Sequence, residues 1–214
     1  MGQYYMPVIL DSKKKKPLGY ACSHDFGNGL KLMEHSYIGN EFVSFIESLL
    51  IGTPKNLVWA GDYADGEAQK DVPKSILNKI VKEIKSDDCS DEDKKRYLNN
   101  LVSDGVNFYT MADHTPKLKP TSAKLITIGR NKHNFLVNHN KKEFVDKSKL
   151  KEIKDWKGVS IHPLPLLTCE GNGRGGGDFR GENKLIGTWA RDSISVETKQ
   201  PVGFKEIVPN FKES

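Results

Sequence analysis

Residues 72–103 read VPKSILNKIVKEIKSDDCSDEDKKRYLNNLVS, and this stretch decides the fold class. Ile76, Leu77, Ile80, Val81 and Ile84 recur at helical spacing, and Pro73 suits a first turn. Ser90 with Asp93 three residues on resembles a capping box for a second helix over Asp91–Ser103, expected to bury Tyr97, Leu98, Leu101 and Val102. The polar Ser86–Ser90 joins the two into a helical hairpin, whose plain role is to cover a sheet.

On both sides the pattern changes to strands. Upstream, 3–10 (QYYMPVIL) is aromatic and β-branched, with Pro7 pointing to an edge or a bulge. Leu18–Cys22 and Asn56–Gly61 are further strands, with a strong turn at Phe26–Gly29 between them. One helix interrupts them, capped by Asn40, running over Glu41–Leu50 and ended by Gly52 and Pro54. Downstream, Lys124–Ile128, Asn134–Val137 and Glu143–Val145 form a meander, and Leu150–Trp156 a helical turn. Val159–Ile161, Leu164–Thr168, Lys184–Trp189 and Ser193–Glu197 complete the strands, and Pro201–Ser214 is a coil packed across the body. The expected fold is α+β: one domain over 1–214 with a mostly antiparallel twisted sheet and the helices on one face. The hairpin at 72–103 is then an insertion, and 123–200 a second strand-rich half.

Two short patterns occur twice. Val8–Lys13 (VILDSK) is echoed by Val137–Lys142 (VNHNKK), and Trp59–Asp62 (WAGD) by Trp189–Asp192 (WARD), at nearly equal separation. This raises the expectation of two related half-units, with Asp62 and Asp192 facing one another.

Composition bounds the partners. A 36% hydrophobic and 29% charged chain of 214 residues is neither disordered nor membrane-spanning. Three scattered cysteines without a CxxC argue against a disulfide framework and a zinc knuckle. With no signal peptide legible, the expected location is cytoplasmic. The net charge of +5 is uneven: residues 115–157 carry 12 Lys/Arg against 4 Asp/Glu, so one segment holds more than the whole excess. A local basic surface attracts anionic partners, although lysines also simply solvate exposed strands.

The densest chemistry lies in 161–192. Five glycines fall within Gly171–Gly177, more than a hairpin turn needs, and ordering each one is entropically costly. Backbone N–H groups of Gly171, Asn172, Gly173, Arg174, Gly175, Gly176, Gly177 and Asp178 are therefore expected to line an anion, with Arg174 and Arg191 as guanidinium donors. The alternatives are a hairpin tip without a ligand and an RGG-like contact to nucleic acid. No Gly-Lys-Ser/Thr follows, which excludes a Walker loop, and no helix pattern follows, which excludes a dinucleotide fingerprint. His162, held extended by Pro163, is a candidate ligand-orienting group or base, or else a structural histidine. Trp59 and Trp189 are core anchors or, if exposed, stacking surfaces for a base.

Met1-Gly2-Gln3-Tyr4-Tyr5, Gly27-Asn28-Gly29-Leu30-Lys31-Leu32 and Trp59-Ala60-Gly61-Asp62-Tyr63-Ala64-Asp65 resemble pieces of a loose group of uncharacterised microbial proteins. So do Phe135-Leu136-Val137-Asn138-His139 with Lys141-Lys142-Glu143, and Gly171–Asp178. The resemblance covers about half the chain and implies no activity.

The expected function is binding of a phosphate-bearing ligand, a nucleotide or nucleic acid, through Gly171–Asp178, Arg191, Asp192, His162, Trp189, Trp59 and Asp62. One alternative is a metal-dependent nucleotide or phosphoester hydrolase using His162 with Asp62, Asp178, Asp192 and Glu170, although their spacing matches no metal motif. Another is a protein-interaction or inhibitor module. No cofactor motif and no membrane partner are read from the sequence.

Overall fold

The computed structural model describes residues 3–120, 134–150, 160–172, 177–181 and 183–211. Eight strands among them form one mixed sheet: β1 (Tyr5–Leu10), β2 (Pro17–Tyr20), β3 (Lys55–Gly61), β4 (Phe135–Asn138), β5 (Glu143–Asp146), β6 (Cys169–Glu170), β7 (Ser193–Glu197) and β8 (Lys205–Glu206). Their order is β2-β1-β3-β7-β4-β5-β8, with β6 continuing alongside β3. The β3–β6 and β5–β8 pairs are parallel and the others antiparallel. The α+β class and its mostly antiparallel sheet are thus as the sequence implies.

β1 lies inside the sheet in spite of Pro7. The Pro7 carbonyl accepts from Ala21 N–H, so the missing donor faces the side of β2, whose ladder reaches only Val8. The expected irregularity is a register shift between Ile9 and Leu10.

The helices sit on both faces, not one. In β1 and β3, Tyr5, Leu57 and Trp59 point to one face, where they pack with Phe42, Val43, Phe45, Ile46 and Leu50 of α2 (Glu41–Leu50). Met6, Val8, Leu10, Val58 and Ala60 point to the other, against Ile76 and Ile80 of α3 (Lys74–Ser86) and Phe108 and Met111 of α5 (Phe108–Ala112). A strand covered on both faces is apolar at every position, so its sequence does not assign helices to sides.

The cap on α2 is as read: Asn40 Oδ1 accepts from Val43 N–H. α4 (Asp91–Ser103) starts at the Ser90 cap, but it buries none of its residues. Of the four side chains expected inside, Leu101 packs partly against the core, while Tyr97 and Val102 are exposed. α1 (Leu32–His35) precedes α2, and α6 (Pro163–Thr168) stands where a strand was expected. Residues 184–190 are consecutive turns, again not a strand. Trp59 therefore lies on a strand and Trp189 in a turn, so the two W-A-x-D segments do not share a conformation. The expected strand at 124–128 and most of the helical turn at 150–156 lie outside the described residues.

Candidate functional site

β3 and β6 run parallel, with Trp59 opposite Cys169 and Ala60 opposite Glu170. Their C-terminal ends release two segments side by side. After Gly61 comes a tight turn, closed by Ala64 N–H donating to the Gly61 carbonyl. After Glu170 comes the glycine-rich run. Between them opens a cleft of about 340 Å³, lined by Ala64–Asp65, Cys169–Gly171, Gly187 and Ala190–Arg191.

The first wall is braced. Asn107, the cap of α5, donates its side-chain amide to the carbonyls of Asp62 (3.0 Å) and Ala64 (3.3 Å). Glu67 and Val106 exchange backbone hydrogen bonds below that point. Tyr63, half-exposed, stands at the turn's tip. Preorganised walls of this kind hold a ligand without first having to be ordered.

The opposite wall carries Arg191, a non-glycine residue in the left-handed region (φ 64°). Its guanidinium clasps Glu170 through Nε and Nη2, pairs with Glu67 Oε1 at 2.6 Å and lies over the Phe108 ring at 4.6 Å. Two carboxylates thus already neutralise the arginine expected to receive an anion. With the exposed Asp65, the wall holds three carboxylates against one cation, and suits hydroxyls, amines and ring N–H groups better than a phosphate.

Most other predicted site residues serve the fold. Asp192 Oδ1 pairs with Lys14 at 3.0 Å and Oδ2 accepts from Asn138 at 2.9 Å, tying the β4 end to the β1–β2 turn. Asp62 Oδ1 accepts from Tyr4 N–H at 3.0 Å. Asp178 Oδ1 accepts from Met33 N–H at 2.9 Å, and burial raises its pKa. These three carboxylates do not form a common site, and among the described residues no group of three His, Cys, Asp or Glu gathers to hold a metal.

His162 is buried at the start of α6, remote from solvent. Its Nδ1 accepts from Leu164 N–H at 3.1 Å, which leaves the proton on Nε2, 3.2 Å from Glu47 Oε1. Burial lowers its pKa, so it is a neutral helix cap and not an accessible base. Trp59 and Trp189 are fully buried. Trp59 Nε1–H donates to His35 Nε2 at 3.0 Å, and Trp189 Nε1–H to Glu143 Oε2 at 2.9 Å. Neither offers a stacking surface. Cys169 is buried, and burial pushes its thiol up to about 12, which removes it as a nucleophile at neutral pH.

Of the glycine run, Gly171 lines the cleft, Asn172 is exposed, and Gly177 closes back on Tyr5. Gly173, Arg174, Gly175 and Gly176 lie outside the described residues. The basic segment is partly consumed in ion pairs: Lys117 with Asp25, Lys147 with Glu47 and Lys149 with Glu206.

Sequence reading missed Asp65, Glu67 and Asn107 as parts of this site. The signal for the first two was visible: a charged run, DYADGE, directly after an apolar strand, where ligands collect beyond strand carboxyl ends. Compared with known proteins, the chain matches no family model, no curated protein and no solved structure.

Proposed function

We propose that the protein is a soluble, cytoplasmic binding protein for a nucleotide. Its base or sugar enters the Asp65–Glu170–Arg191 cleft, and its phosphate lies toward the glycine-rich run. The observation that carries this reading is the cleft itself. It opens where the run leaves β6, and its volume of about 340 Å³ suits one small molecule, since such sites span roughly 300–1,000 Å³.

A single nucleotide fits this volume better than a nucleic-acid strand, and the pairing of Lys117, Lys147 and Lys149 weakens the case for an extended basic track. The acidic wall assigns the ligand's donor groups, and Arg191 becomes the residue that positions Glu170. The cysteines are all free, which accords with a reducing compartment, and no helix of the described residues is long and apolar enough to cross a membrane.

A thermal-shift panel of nucleotides, nucleosides and oligonucleotides tests the reading. A nucleotide at a hundredfold excess over its Kd is expected to stabilise the protein by about 2.7 kcal/mol. The shift should weaken with salt and in Arg174→Ala. No shift with any nucleotide would overturn the assignment.

A further inference from the structure

Three charged side chains line the cleft: Asp65, Glu170 and Arg191. Two of them are committed to each other. Both Glu170 oxygens accept from Arg191, whose Nη1 goes to Glu67 and whose plane rests on Phe108. Asp65 differs. It is exposed, and among the described residues its carboxylate enters no ion pair or hydrogen bond.

The chain that carries Asp65 is pinned on both sides. Before it, Asn107 holds the Ala64 carbonyl, and the Gly61 carbonyl holds the Ala64 N–H. After it, Gly66 is pressed against the 104–106 backbone, where a Cβ would stand 2.2 Å from the Asp104 carbonyl oxygen. Glu67 and Val106 then exchange their backbone hydrogen bonds. An acceptor on so fixed a turn loses little freedom when a ligand arrives. Ala64, Gly171, Gly187 and Ala190 supply most of the remaining lining, which leaves the space open to a flat ring.

An ionised carboxylate only accepts, through two oxygens side by side. Its best planar partner therefore carries two parallel N–H donors. Guanine does so on its Watson–Crick edge, where N1–H lies beside the 2-amino group. Adenine and cytosine set one amino donor beside a ring-nitrogen acceptor, and uracil flanks one N–H with two carbonyls. Each of these turns an acceptor toward the negative charge.

We infer that Asp65 selects guanine, its carboxylate accepting N1–H and the 2-amino group from the base of a bound nucleotide. This rests on the nucleotide reading above and adds to it the identity of the base. The Glu170–Arg191–Glu67 pairing occupies the neighbouring charges, so Asp65 alone reads the base edge.

Calorimetric titration of wild type and Asp65→Asn with the guanosine, inosine, adenosine, cytidine and uridine 5′-monophosphates tests this. Inosine carries the guanine ring without its 2-amino group. Wild type is expected to bind the guanosine nucleotide at least about tenfold more tightly than each of the others, as one hydrogen bond to a charged group requires. Asparagine presents a donor where aspartate has its second oxygen, so Asp65→Asn should cut the preference for guanosine over inosine to about twofold or less. An unchanged preference in Asp65→Asn, or a wild type with no preference for guanosine, would overturn the inference while leaving the nucleotide reading in place. L-argininamide carries the same pair of donors on a cation. If it binds more tightly than the guanosine nucleotide, the carboxylate serves a positive charge and not a base, and the inference falls. Ligand-free Asp65→Asn should melt within about 2 °C of wild type, and a fall of more than about 5 °C would mark the carboxylate as structural and count against the inference. Failure of wild type to bind any nucleotide would instead remove the nucleotide reading, and this inference with it.

Discussion

The two faces of the sheet solve the same packing problem with different materials. The face under α2 is aromatic and contains buried polar groups: Trp59 and Phe42 surround His35, and Glu47 sits among His162 and Lys147. The face under α3 and α5 is aliphatic, built from Val8, Val58, Ile76, Ile80 and Met111. Beyond it α4 adds a layer that buries nothing of its own. The first face derives its specificity from partners that must all be present. The second depends on apolar area and tolerates loss at its outer layer. The cleft lies where the two faces meet, at the ends of β3 and β6, so each contributes a wall.

Glu47 is the sharpest place to break the comparison. It is 3% exposed, and although burial alone would raise its pKa, the His162 Nε2–H and the Lys147 ammonium hold it below the usual carboxylate range. Glu47→Ala leaves Lys147 without its buried partner and is expected to cost about 3–5 kcal/mol in urea denaturation. A loss under about 0.5 kcal/mol, the scale of neutral surface changes, would mean that the network does not hold this face.

Acid titration should come next. Burial lowers the pKa of His35 from the usual 6.5 to about 4, and its Nε2 must stay unprotonated to accept from Trp59. Between those values the unfolded chain binds a proton that the folded one does not. Stability is therefore complete above about pH 6.5 and falls as the pH drops through 4, by about 3 kcal/mol in all. His162, also lowered by burial, adds to the loss with the same sign. Glu47, whose pKa is depressed, loses its contribution at lower pH still, as the pH falls below its usual value of 4.5. Urea midpoints measured from pH 7 to 4 check this, and a flat profile there would contradict it.

The smallest effect belongs to the outer layer. Ser90→Ala removes the α4 cap and should cost about 1 kcal/mol locally. Because α4 buries no residue, hydrogen exchange should quicken in 91–103 while the global unfolding midpoint stays put. A matching global loss would show that α4 belongs to the cooperative core.

These differences also explain what was legible in the sequence. α2, α3 and α4 follow from spacing and from the Asn40 and Ser90 caps, because those signals are local. β1, β3 and β7 follow from β-branched runs. The segment at 163–168 misleads because its five apolar residues carry no usable period, and Pro163 and Pro165 fit a first helical turn as readily as a strand break. Which face each helix covers is a tertiary fact that continuous apolar strands conceal. The glycine run marked the right neighbourhood, but the partners of Arg191 appear only once β3 and β6 lie side by side.

Strand order has a consequence for the protein's synthesis. β7 sits mid-sheet, between β3 and β4, yet it is made after both. Until Ser193–Glu197 has left the ribosome, the nascent chain holds two separate sheet fragments, each with a bare inner edge: the Lys55–Asn56 end of β3, beyond its pairing with β6, on one and β4 on the other. Such edges invite pairing with other chains. The most exposed moment in this molecule's life therefore falls between the synthesis of β4 and that of β7, before one five-residue strand finds its slot and joins the halves.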